Sequence, residues 1–190
     1  RYLHQVDMPE HQAYFALIDG ILAVDRGDFS FGVLQLDRAI SIAQPVNAIY
    51  ILSNAYTALL FAAIATASRE DAQRAMHGYS TLNIERSEDI WPVALSQWKW
   101  FNGDLEGARH SLKQQRSAYE NLRIELEKCK FDLIAGELEQ AALGAKQCRT
   151  MAESTGCQDI LLLSKIIYAT ATGKNNQHVA ELLTALKQSE

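Results

Sequence analysis

Gly27-Asp28-Phe29-Ser30-Phe31-Gly32 is said again, with variations, as Gly103-Asp104-Leu105-Glu106-Gly107-Ala108 and as Gly136-Glu137-Leu138-Glu139-Gln140-Ala141. Each copy is a glycine, an acid, a large apolar residue, two variable residues and a small one. Stretches of helical character flank every copy. Glycine closes a helix because it enters the left-handed region without a Cβ clash, and the acid after it is placed to cap the next helix. The phrase therefore reads as the joint of a helix-turn-helix unit. The second and third copies begin 33 residues apart, and the first begins 76 before the second, which leaves room for one degenerate copy. A period of about 33 to 40 residues marks a helical repeat array.

The segments between the joints fit that reading. A first helix is expected from Pro9 to Arg26, with Tyr14, Leu17, Ile18, Ile21 and Leu22 at helical spacing and Pro9 in the first turn, where its missing N–H costs nothing. Gly20 falls mid-helix, where glycine costs about 1 kcal/mol relative to alanine, so a neighbouring helix is expected to press close there. The next helix carries Phe31, Leu34, Leu36, Ala39 and Ile40 and stops before Pro45. An uncharged helix over 46–67 leads to Ser68-Arg69-Glu70-Asp71, a helix start that supplies the degenerate copy. Asp89 and Pro92 open a fifth helix with Leu95, Trp98 and Phe101, and a sixth starts at Asp104 with Leu105, Ala108 and Leu112 inward. A charged helix follows, with a stripe of Leu122, Leu126, Cys129 and Leu133. Then come Leu138, Ala141, Ala145, Cys148 and Met151 on an eighth helix, an apolar ninth over 159–172, and a tenth through Val179, Leu182, Leu183 and Leu186. The expectation is an all-α, single-domain chain of five antiparallel hairpins, at about 9–44, 46–84, 89–115, 116–154 and 158–189.

Composition narrows the function. The 190 residues are 48% apolar and carry 18 basic against 23 acidic side chains, a net charge of −5. The basic residues are scattered singly, so no basic face is offered to phosphates and no nucleic-acid contact is expected. Cys129, Cys148 and Cys157 are odd in number and lack metal spacing, which reads as reduced, helix-packing thiols in a cytoplasmic protein. No leader is visible after Arg1, and the chain is expected to be a piece of a longer one. Ile49 to Ala67 is 19 residues of which 15 are apolar, enough to span a bilayer. Ser53, Asn54, Thr57 and Thr66 interrupt it and flanking anchors are missing, so a helix buried on several sides is the expectation, with no membrane contact.

Catalysis needs convergent groups, and the sequence offers few. His4, Asp7, Glu10 and His11 have ligand-like spacing, but Pro9 breaks their helical face, and a solvated terminus is the expectation. Glu85, Arg86, Glu88 and Asp89 read as helix-start charges. His77, His110 and His178 lie on separate helices, and no phosphate loop or nucleophile elbow occurs. No enzyme activity, cofactor or metal is expected.

Gly20, then Gly32 with Leu36, then Ala39, and Pro45 near the closing position, resemble the tetratricopeptide repeat. Ala108 with Leu112, and Ala141 with Cys148, follow the same pattern loosely, although Ala145 is small where the pattern has an aromatic residue. The irregular spacing and the phrase at 136–141 are also similar to the helical-repeat domains of large bacterial transcription activators. The resemblance implies a right-handed superhelix, a protein-binding role in regulation or signalling, and a concave surface lined by first helices. Projected onto that surface are Tyr14, Asn54, Phe61, Gln97, Trp100, Arg123 and Lys130. Asn54 needs a hydrogen-bond partner, which a bound peptide or a neighbouring helix would supply. Of the crowded tryptophans Trp91, Trp98 and Trp100, Trp98 reads as core and Trp100 as a groove anchor. Two further readings stay open: a small-molecule effector cavity lined by Phe61, Ile64 and Trp100, and a homodimer through a terminal hairpin using Leu182, Leu183 and Leu186.

Overall fold

A computed structural model describes residues 8–82, 84, 91–112 and 118–173. Its elements are α1 (Pro9–Asp25), α2 (Phe29–Ala43), α3 (Ile49–Thr66), α4 (Arg69–Thr81), α5 (Trp91–Phe101), α6 (Leu105–Ser111), α7 (Ala118–Ile134), α8 (Leu138–Thr155) and α9 (Gln158–Ala171). The described residues contain no strand. The expected tenth helix, with Ala180 and the three leucines proposed for dimerisation, lies outside them, as do His4, Asp7, His178 and the charged group at 85–89.

The joints are where the repeated phrase puts them. Gly27, Gly103 and Gly136 have φ of 81°, 85° and 80°, in the left-handed region. The degenerate joint is Ala67, which adopts φ 54° despite its Cβ. Ser68 follows as a cap, accepting from Asp71 N and donating to Asp71 Oδ2. Asp28 and Asp104 cap their helices through Phe31 N and Gly107 N. Glu137 departs from the expectation: its side chain makes no cap bond. The carboxylate is instead turned to Arg109, with Oε1 and Oε2 accepting from Nη1 and Nη2 at 3.0 and 2.9 Å.

The chain divides into two compact units, residues 1–102 and 103–190. In the first, α1 pairs with α2 and α3 with α4, while α3 also packs against α1, α2 and α5. The first helices α1, α3 and α5 thus lie in a row with α3 central. The seams are made of small residues: Ala13, Ala16, Gly20 and Ala23 on α1, and Gly32, Ala39 and Ala43 on α2, with Leu17 and Leu36 between them. A Cβ at Gly20 would sit 2.8 Å from Leu36 Cγ, which accounts for the glycine inside the helix. The apolar stripe expected on α1 is corrected accordingly. Tyr14, Ile18 and Leu22 are exposed, as are Phe31 and Leu34 on α2, because close helix approach selects small side chains for the seam and leaves the large ones outside. Helix α3 is long and apolar enough to cross a membrane, and 61% of that window is buried among its neighbours.

In the second unit α7, α8 and α9 pack mutually, and α6 touches α7. The α8 seam is again small, with Ala141, Ala145, Cys148 and Ala152 buried while Leu138 and Met151 are exposed. Cys129 Sγ fills the space beside Gly144. Its hydrogen bond to Cys148, together with burial, pushes the Cys129 thiol well above its ordinary range, so it stays protonated. Arg109 ties α6 to Asp132 of α7 at 2.7 Å as well as to Glu137.

Candidate binding face

Counting back from each left-handed residue sorts the seven projected positions into registers. Tyr14, Asn54 and Arg123 lie thirteen residues before Gly27, Ala67 and Gly136. Phe61, Gln97 and Lys130 lie six before Ala67, Gly103 and Gly136. The two sets differ by seven residues, two helical turns, and so share one side of their first helices. Trp100, three before Gly103, belongs to neither set. Its register is that of Val24 and Ile64, both packed against the core of the first unit, while Trp100 itself is exposed.

Within the first unit the structure draws Tyr14 into a groove of about 360 Å³ between the start of α1 and the start of α3. Glu10, His11 and Tyr14 form one wall, and Ala48 to Ile51 the other. Two aromatic rings face solvent there, Tyr14 at 44% and Tyr50 at 69% exposure. Asn54 stands one turn beyond Tyr50, and its Nδ2 donates to Tyr50 O at 2.8 Å. One partner of the amide is thus its own helix, which the sequence reading did not name. Phe61 and Ile64 pack against the core, as do Trp91 and Trp98, with Tyr79 stacked on Trp91 at 3.9 Å and Trp98 on Phe101 at 5.8 Å. Gln97 is half-buried on α5.

In the second unit Arg123 lies over the Tyr119 ring, 5.8 Å from its centroid, and its Nη1 donates to Tyr119 Oη at 3.0 Å. Lys130 is engaged differently. Its Nζ pairs at 2.9 Å with Glu127, whose side chain is only 6% exposed. A buried carboxylate needs that cation, so Lys130 acts first on its own helix.

Sequence reading missed Tyr50 and Ile49, which open an apolar run where an aromatic ring reads as filler. The register held the signal: Tyr50 lies seventeen residues before Ala67, as Glu10 does before Gly27. No group of three or more His, Cys, Asp or Glu side chains able to hold a metal ion occurs among the described residues. No known protein family, curated protein or solved structure matches this chain.

Proposed function

We propose that the protein is a non-catalytic, tetratricopeptide-like helical repeat that binds a segment of another protein in the groove between α1 and α3, as part of a cytoplasmic bacterial regulatory or signalling protein. The observation that supports this reading is the exposed pair Tyr14 and Tyr50 across a groove bounded by adjacent first helices. Tyrosine offers a large, rigid apolar face with a polar tip at small conformational cost, which is why it anchors protein interfaces. His11 and Glu10 at the rim add one group of each hydrogen-bonding character.

Selection of random peptides on the purified chain tests it. Peptides enriched on the wild type are expected to bind the Tyr14→Ala/Tyr50→Ala variant at least about tenfold more weakly, the loss of a two-residue hot spot. Selected peptides whose affinity ignores that double substitution would remove the groove from consideration.

A further inference from the structure

Two of the cysteines meet inside the seam of α7 and α8. Cys129 and Cys148 are buried, at 2 and 0% exposure, in the apolar cluster that these helices share with α9. Cys129 Sγ occupies the space that Gly144 leaves open, so closely that a Cβ there would lie 2.6 Å from the sulfur. Cys148 stands one turn beyond Gly144 on the same side of α8. The direction of the helices closes the remaining gap. Only residues 135–137 connect α7 to α8, so the two run antiparallel. Every Cα–Cβ bond leans toward the N-terminus of its own helix. Cys129 therefore leans away from the joint and Cys148 toward it, and their thiols hydrogen-bond with Cys129 as donor.

Packing alone does not ask for this pair. The other buried positions of the α8 seam, 141, 145 and 152, are alanines, and an alanine at 148 would continue the series. Sulfur on both sides of the seam adds chemistry instead. The hydrogen bond from Cys129 holds the Cys148 thiol below its ordinary range, and the thiolate is the form of cysteine that attacks.

We infer that Cys129 and Cys148 form a redox-responsive modification site, which hydrogen peroxide closes into a disulfide that staples α7 to α8. The Cys148 sulfur attacks one peroxide oxygen, the O–O bond breaks, and a sulfenic acid and a water result. The Cys129 sulfur then attacks the Cys148 sulfur, the S–O bond breaks, and the hydroxyl leaves as a second water with the Cys129 proton. The two thiols lose two electrons and the peroxide takes them up. Local opening of the seam admits so small an oxidant. In a reducing compartment such a bridge is transient, undone by thiol exchange.

Cys157 is the internal control. It is half-buried ahead of α9, where Thr155 Oγ1 donates to its sulfur at 3.3 Å. It lies nine residues after Cys148, about 13 Å along a helix, out of reach of that sulfur.

Oxidation of the full chain by hydrogen peroxide, read by intact mass, peptide mapping and thermal melting, tests the inference. Cys157→Ser is expected to lose the mass of two hydrogens and to yield a peptide linked through Cys129 and Cys148. Its oxidised form should melt at least about 5 °C above the reduced one, because closing a loop of about 20 residues restricts the unfolded chain. Dithiothreitol should reverse both changes. Cys148→Ala, which extends the alanine seam, should form no bridge. Cys129 and Cys148 that remain thiols after Cys157 of the wild type is fully oxidised would overturn the inference. So would a bridge that forms only in urea, one that runs through Cys157, or one that lowers the melting temperature.

Discussion

Helices α3 and α7 hold the same place, the first helix of a hairpin at the heart of its own unit, and they are made of opposite materials. Between Ile49 and Thr66 there is not one charged residue, whereas Ala118 to Ile134 contains seven. Helix α3 touches four other helices and buries residues on all sides, so nothing selects for charge. Helix α7 buries a narrower set, Leu122, Ile124, Leu126, Cys129 and Phe131, and includes the carboxylate of Glu127 among them. Apolar burial depends little on exact angles, whereas a buried ion pair fails when either partner leaves. Both units carry ion pairs between elements, Arg74 with Asp37 in the first and Arg109 with Asp132 and Glu137 in the second, but among the described residues only the second unit buries a carboxylate.

The largest test of that difference is in α7. Lys130→Met leaves the Glu127 carboxylate buried without its cation and is expected to cost about 3 kcal/mol, read as a fall in the urea midpoint. Adding Glu127→Leu should bring stability back to within about 1 kcal/mol of wild type, because an apolar pair of similar volume replaces the ions. If the double variant is as unstable as the single one, packing rather than charge holds α7.

A smaller effect lies at the joints. Gly103 and Gly136 serve the second unit, but the α3–α4 joint uses Ala67 at φ 54°. Ala67→Gly relieves the Cβ clash of that conformation and is expected to stabilise by about 0.5–1 kcal/mol, whereas Gly136→Ala should cost about 1 kcal/mol. Thermal melting of both variants would decide it; an unchanged melting temperature for Ala67→Gly would mean that the unfolded chain gains as much as the folded one.

The smallest effect is in acid. The Arg109 guanidinium hydrogen-bonded to Glu137 holds that carboxyl below the usual carboxylate range. A lowered folded value adds stability that is complete above the ordinary carboxylate pKa of about 4.3 and is lost as the pH falls through the lower, folded value. Glu137→Gln should therefore reduce stability slightly at neutral pH and make the curve shallower below about pH 4. A Glu137→Gln acid limb as steep as the wild type would show that this ion pair plays no part in acid sensitivity.

How far the sequence reached follows the same division. The joints were legible because glycine and a capping side chain leave a mark in a few adjacent letters, and even Ala67 was located through Ser68. The seams were misread in part. Leu22, Phe31 and Leu34 look like core to any hydrophobic pattern, and only the approach of Gly20 to Leu36 and of Gly32 to Val24 shows that small residues took that place. Glu137 reads as a cap because its position is right. Its longer side chain, together with an arginine 28 residues earlier in the chain, decided otherwise. Of the candidate face, Tyr14 was found by projection. Tyr50 was not, since its exposure depends on where the α2–α3 connection leaves the start of α3.

The left-handed residues that close the first helices stand at 27, 67, 103, 136 and 173, separated by 40, 36, 33 and 37 residues. Successive intervals change by four, three and four, each close to the 3.6 residues of one helical turn. A hairpin lengthened or shortened by a whole turn keeps every side chain on its original side, and the next joint restarts the count. The registers thirteen and six residues before each joint are kept while the intervals between joints vary, so a length change in a connection leaves a seam in place, whereas the gain or loss of one or two residues inside a first helix would rotate its small residues away from their neighbour.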